Sequence, residues 1–175
     1  MKCWLNFPVR HLVKIDWKIR SFAPDDAPAF AALNRRWIDE MFGIEEQDQH
    51  QLDQPEKTII EPGGYIAIAD ANGWIVGTGA ILPAAHPPND GHGWMEVVKM
   101  ATDPSAQGQR IGSAVLDRLI AVAQDQGARR IWLATHDSLQ TATDLYRRRG
   151  FVELATDDTL ETPYVRCNLQ MVLTL

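Results

Sequence analysis

The chain reads as an α/β protein, a mixed central sheet with flanking helices. Three stretches carry that reading. Residues 95–102 form an apolar run of β character, broken by Asp103-Pro104, because proline has no N–H to give a sheet ladder. From Ile111 the period becomes helical, with Ala114, Val115, Leu116, Leu119, Ile120 and Ala123 on one side and Asp117, Arg118 and Asp125 on the other. Residues 130–135, entered through Gly127, are again a strand, and strand, crossover helix and strand make a parallel pair. Upstream, residues 65–69 and 75–82 flank Asp70-Ala71-Asn72-Gly73, a strong hairpin signal, so the sheet also holds antiparallel strands.

Residues 17–20 read as the first strand. Pro24-Asp25-Asp26 opens a helix, with acidic side chains at its positive end. Phe30, Leu33, Trp37, Ile38 and Met41 share one stripe, and Gly43 closes the helix. Residues 44–57 are polar and acidic with little period; they fit a solvated connection with a partial helix, or a segment that lines a pocket. A loop spans residues 83–93, where His86 and His92 have no Cys or acidic partner at ligand spacing, which argues against a metal site. Asp137 or Ser138 caps a later helix whose inner stripe is Leu139, Ala142, Leu145 and Tyr146, ended by Gly150. Residues 151–154 resume as a strand. Residues 166–173 are the last, with Cys167, Leu169, Met171 and Leu173 on one face and Asn168, Gln170 and Val172 on the other. The order is β-α-α-β-β-β-α-β-α-β-β.

At 175 residues, 45% hydrophobic and 23% charged, the chain can bury one core of its own. A net charge of −6 argues against a nucleic-acid-binding surface. Cys3 and Cys167 stand in unrelated settings and make neither a disulfide framework nor a metal spacing, which fits a reducing cytosol. No apolar run approaches membrane-spanning length. The first residues, with scattered charges and Pro8, do not resemble a secretory leader and read as an extra arm.

Between strand and helix lies Gln107-Gly108-Gln109-Arg110-Ile111-Gly112. Small and amide residues at the first turn of a helix expose unpaired N–H groups, and the helix dipole adds positive character, so such a loop suits phosphate. The three glycines of a dinucleotide fingerprint and the Gly-Lys-Ser/Thr of a Walker loop are both absent.

The stretch resembles motif A of the GNAT superfamily, the acetyl-CoA-dependent N-acetyltransferases. The family pattern Gln/Arg-x-x-Gly-x-Gly/Ala stands here as Gln107-x-x-Arg110-x-Gly112, with Arg110 in place of the middle glycine. That departure touches backbone geometry, since glycine reaches positive φ without strain, while an arginine there can offer a guanidinium to phosphate. Ala142-x-x-Leu145-Tyr146-x-x-x-Gly150-Phe151 resembles motif B, with Leu139 where the family has Asn. The resemblance runs from residue 17 to the C-terminus. It implies a single GNAT domain over residues 16–175 after an N-terminal extension, residues 1–15, and a parallel strand pair splayed at a coenzyme A cleft.

The resemblance also distributes roles. Backbone of Met100, Ala101 and Thr102 would hold the pantetheine arm like an added strand. Gln107, Gly108, Gln109, Arg110, Ile111, Gly112 and Ser113 would hold the pyrophosphate. The Met100 N–H would polarise the acetyl carbonyl. Acetyl transfer needs a proton acceptor for the attacking amine. Glu96, a carboxylate within a central strand, is the leading base on residue type alone, because burial would raise its pKa. It also matches the glutamate of histone-acetylating relatives. Its other reading is a partner for Lys99, itself taken as structural or solvent-facing. Tyr146 matches the tyrosine that serves as general acid at the departing sulfur. His136 is an alternative base or a surface-loop histidine. Trp37, Tyr164 and Arg166 are the acceptor-site candidates. Arg166 is either a carboxylate clamp at the pocket rim or a surface arginine on the edge strand.

The expected function is cytoplasmic N-acetylation by direct attack in a ternary complex, since neither motif contains a Cys nucleophile. Acetyl-CoA is the co-substrate. The acceptor is a small-molecule amine or an amino-acid-like amine, with no nucleic acid or membrane partner and a homodimer allowed. Two alternatives stay open, an acyl-CoA-binding sensor without turnover and a protein N-acetyltransferase.

Overall fold

The computed structural model describes residues 14–85 and 93–175. Cys3, His86, His92 and nearly all of the expected N-terminal extension lie outside that range. Among the described residues, seven strands form one sheet in the order β1-β2-β3-β4-β5-β7-β6. They are β1 (Lys18–Ser21), β2 (Tyr65–Ala71), β3 (Trp74–Pro83), β4 (Trp94–Thr102), β5 (Arg130–Thr135), β6 (Val152–Glu153) and β7 (Leu169–Thr174). The helices are α1 (Ala27–Met41), α2 (Glu46–Asp53), α3 (Ile111–Asp125) and α4 (Gln140–Arg148). Only the β4–β5 pair is parallel; the other pairs are antiparallel.

Period-2 alternation divides two cores. In β2, Ala67, Ala69 and Ala71 face α3, while Ile66 and Ile68 face α1 and α2. Small residues on the first side let α3 lie close. A Cβ on Gly79 would stand 2.5 Å from Met100 Sδ, and one on Gly77 would run into the Ile111 side chain. The hairpin turn carries Asn72 and Gly73 at φ 55° and 90°, the left-handed pair that a two-residue turn needs.

Several local expectations change. Residues 44–57 are no solvated connection: α2 is a regular helix, followed by a π-helical turn Glu56–Ile60, and Asp48, Gln51 and Leu52 are buried. Met41 leaves the buried stripe, 51% exposed, because the end of α1 borders the cleft described below. Neither Asp137 nor Ser138 caps α4; the N-cap is Leu139, and Ser138 is engaged with His136 instead. The last strand begins at Leu169, so Arg166 and Cys167 sit in the preceding loop. Gln170 is buried, where it receives Trp132 Nε1–H at 3.0 Å and Leu160 N–H at 2.8 Å.

Candidate active site

The parallel ladder between β4 and β5 is short. Its register runs from Trp94↔Arg130 to Glu96↔Trp132, and the strands then part. A cleft of about 900 Å³ opens there, bounded by α1, β4, the start of α3, β5 and α4. Met100, Ala101, Thr102, Gln107, Gly108, Arg110, Ile111, Gly112 and Ser113 all line it. Gln109 does not; its Oε1 accepts the Ile15 N–H at 2.8 Å. Glu96, Tyr146, Trp37, Tyr164 and Arg166 line the same cleft, so it gathers the candidates from both ends of the chain.

A β-bulge shapes the floor. Thr78 pairs with Ala101 and Ala80 with Val98, leaving one extra residue in β4, and Lys99 takes φ 54°. Without the extra residue Lys99 would follow Met95 and Val97 onto the α3 side. The bulge turns it to the α2 side with Glu96 instead. Thr78 Oγ1 donates to the Lys99 carbonyl at 3.2 Å and accepts from Asn34 Nδ2 at 3.0 Å, which ties the distorted backbone to α1.

Lys99 is therefore buried, not solvent-facing. Its Nζ donates to Asp48 Oδ1 at 2.7 Å and to the Tyr164 hydroxyl at 3.0 Å, and Tyr164 in turn donates to Gln51 Oε1. Arg166 is neither a surface residue nor a free clamp. Its fork donates to Asp48 at 2.6 and 2.9 Å, and Nη1 also reaches Glu45 Oε1 at 3.1 Å. The Glu45 carboxylate further accepts the Val165 and Arg166 N–H groups. Burial pushes the Asp48 carboxyl upward, but Arg166, Lys99 and the Glu45 N–H together hold it below the usual range. Burial is also the main reason Lys99 titrates below a free lysine, against the pull of Asp48. Sequence reasoning missed Asp48 and Glu45. Their i, i+3 spacing signals an acidic capping box at a helix start, but nothing local names Lys99 and Arg166 as partners.

Glu96 sits at the last register of the β4–β5 ladder, 9% exposed. Burial pushes its carboxyl up to about 7, and the positive charge of Lys99 only partly offsets this. Tyr146 reaches the cleft from α4 and packs against Phe151 at 5.7 Å; burial raises its phenol, so the hydroxyl stays protonated. His136 is no plain surface histidine. It lines the cleft, with its ring 5.1 Å from Phe42. The Ser138 N–H donates to Nδ1 at 3.1 Å, and Asp137 Oδ1 lies 3.2 Å from the same nitrogen. Cys167 also lines the cleft, outside both motifs, and burial pushes its thiol up to about 11, which disfavours the nucleophilic thiolate.

The far end of the cleft is the start of α3. Arg110 is the N-cap and takes φ 61°, ψ 19°, the left-handed conformation that a glycine adopts without strain. Arg110 and Arg148 both line the cleft, and neither has a carboxylate within ion-pair distance among the described residues. Helix N–H groups with Arg110 beside them, in a cleft that Arg148 also lines, could hold a diphosphate. The bulged, parted strand offers backbone to an extended arm. Those two needs coincide in an acyltransferase that draws its acyl group from a coenzyme A thioester.

Comparison with known proteins gives the family. The model of the acetyltransferase (GNAT) family matches residues 30–151. An IAA acetyltransferase of Azospirillum brasilense is 31% identical over 118 residues, 67% of this chain and 71% of that protein. A mycothiol acetyltransferase of Sanguibacter keddieii is 28% identical, over 83% of this chain and 46% of that protein. Rat N-acetyltransferase family 8 member 2 is 28% identical, over 59% of this chain. The matched region spans 45% and 46%, about half, of the rat and Sanguibacter relatives' own lengths. In fold, a GNAT-family acetyltransferase from Staphylococcus aureus Mu50 superimposes with TM-score 0.80 at 21% identity, covering 91% of this chain and 99% of that one. A putative acetyltransferase from Salmonella typhimurium, solved with acetyl-CoA, does so with TM-score 0.72 at 16% identity, covering 90% and 93%. The chain belongs to the acetyltransferase (GNAT) family, transferases whose acyl donor is acetyl-CoA.

Proposed function

We propose that this chain moves the acetyl group of acetyl-CoA to a primary amine by direct attack in a ternary complex. The observation that carries the reading is Glu96, buried where β4 and β5 part, with its carboxyl pushed up to about 7. A carboxylate of that basicity can take a proton from an amine near neutral pH. The amine nitrogen bonds to the thioester carbon and gives its proton to Glu96. The carbonyl oxygen gains charge and would meet the Met100 N–H, at a residue that the bulge leaves without a register partner in β3. The C–S bond then breaks, and Tyr146 supplies a proton to the departing sulfur and regains one from solvent. Because burial raises the Tyr146 phenol, that proton moves late, once the sulfur carries charge.

On the donor side, the helix start of α3 with Arg110 and Arg148 would hold the pyrophosphate, and backbone at Met100, Ala101 and Thr102 the pantetheine arm. Cys167 is set aside as an acetyl carrier, its thiol lying too high to ionise at neutral pH.

The test is a set of pH–rate profiles. In wild type, kcat/KM should rise with pH through an apparent pKa of about 7. Glu96→Gln should lower turnover about 10²–10⁴-fold at neutral pH, the range of one general base, with acetyl-CoA affinity nearly unchanged. Tyr146→Phe should also spare acetyl-CoA binding, with a larger deficit for donors whose leaving thiol is more basic. Equal turnover in wild type and Glu96→Gln would remove Glu96 as the base. Tight acetyl-CoA binding without turnover on any amine would favour a sensor.

A further inference from the structure

The two sides of the cleft differ in how their cations are used. Toward α3 and α4, Arg110 and Arg148 are without carboxylate partners among the described residues. Toward α1 and α2, Lys99 and Arg166 are both committed, Lys99 to Asp48 and Arg166 to Asp48 and Glu45. Both also lie over the Tyr164 ring, at 5.0 and 4.6 Å from its centroid. What that side leaves for a substrate is apolar and aromatic. Leu33, Trp37 and Met41 of α1 line it with Phe42. Trp37 and Phe42 meet edge to face at 6.4 Å, and Phe42 continues to His136 across the mouth. Arg36 lines the rim as well, but it is solvent-exposed and has Glu40 of its own helix at 3.9 Å.

From this we infer that the acceptor is an amine with an aromatic or bulky apolar body and no carboxylate, an arylalkylamine. The inference rests on the acetyl-transfer reading of the same cleft. A substrate carboxylate entering on the α1 side would lose its water and find no uncommitted buried cation. It would also face the charge of Glu96, whereas an aromatic body would bury its faces against Trp37 and Phe42. The amine itself is the one group that Glu96 favours. A free α-amino acid is therefore the wrong shape of charge for this side, although its amine is the same.

Binding and turnover separate the two levels of the argument. Isothermal titration uses protein saturated with CoA, which has no acetyl group to transfer, and four probes: 2-phenylethylamine, L-phenylalaninamide, L-phenylalanine and n-propylamine. The first two should bind about tenfold or more tightly than the last two. Trp37→Leu should bring 2-phenylethylamine down toward n-propylamine while the thermal shift by acetyl-CoA persists; the wild-type comparison stands without that variant. L-phenylalanine binding as tightly as 2-phenylethylamine overturns the inference. So does 2-phenylethylamine binding no better than n-propylamine, or giving no measurable heat. Thiol release with acetyl-CoA is followed in parallel. An arylalkylamine that binds tightly but is never acetylated upholds the inference and sinks the acetyl-transfer reading. Acetylation of L-phenylalanine with a higher kcat/KM than 2-phenylethylamine does the reverse.

Discussion

Arg110 shows how one side chain can carry two separable effects. Its left-handed backbone costs about 1–2 kcal/mol relative to a right-handed one, and it lines the cleft as an exposed residue with no carboxylate partner among the described residues. Arg110→Gly and Arg110→Ala both remove the charge, and only the glycine relieves the strain. Both should weaken acetyl-CoA by about 1.5–3 kcal/mol, the range of a hydrogen bond to a charged group. In thermal denaturation without ligand, Arg110→Gly should exceed wild type, and Arg110→Ala should stay close to it. Unchanged acetyl-CoA affinity in both would make Arg110 a bystander. Gly112 gives a complementary test. A Cβ there meets nothing closer than 3.6 Å, at Leu145 and Thr102, so the fold tolerates it. Gly112→Asp should therefore fold, yet lose the thermal shift by acetyl-CoA, because a carboxylate would stand where phosphate is expected.

At the scale of elements, α2 and the loop before β7 are held together through charge. Glu45 and Asp48, at the start of α2, accept from Arg166 in the loop, and Asp48 also accepts from Lys99 of the β4 bulge. Three elements distant in sequence thus meet at one buried carboxylate, 0% exposed. Asp48→Asn leaves Lys99 without its counter-charge and Arg166 with Glu45 alone, and breaking one partner of a buried pair costs about 3–5 kcal/mol. Urea unfolding should show that loss, and a loss under 1 kcal/mol would mean that the two cations find water or another partner.

For the whole molecule, Asp48 and Glu96 set opposite pH limits. Asp48 is held low, so its contribution is present above the unfolded pKa and is lost as pH falls through the folded one. Glu96 is held high, about 7 against 4.5, so the folded chain keeps a proton between those values that the unfolded chain has lost. Stability from that proton is full below 4.5 and disappears as pH rises through about 7. Glu96→Gln removes the dependence. By calorimetry the variant should match wild type near pH 4.5 and exceed it at pH 8.5 by up to about 3 kcal/mol. The direction opposes the proposed catalysis, for which Glu96 has to be ionised, and this conflict would separate a functional carboxylate from a structural one. Equal stability of the two proteins at both pH values would mean that the carboxylate is solvated after all. No helix among the described residues is long and apolar enough to cross a membrane.

Local chemistry made the element order legible. Asn72-Gly73, Asp103-Pro104 and the change of period at Ile111 each act through backbone geometry that neighbours in sequence control. The same holds for residues 107–112 as the loop that runs into the start of α3, and for Glu96 as a charge set in an apolar strand. What the sequence could not contain was which charges would meet. Lys99 changes faces through a one-residue bulge, fixed by pairing with β3 and by Thr78 and Asn34, and its period-2 position in the sequence points the other way. Residues 44–57 look solvated because Asp48 is an ordinary acid until Lys99 and Arg166, 51 and 118 positions away, neutralise it in the interior. Periodicity and turn chemistry depend on neighbours in the chain, so the sequence determined the fold; ion pairing depends on distance in space, so only the tertiary structure decided which cations a substrate finds free.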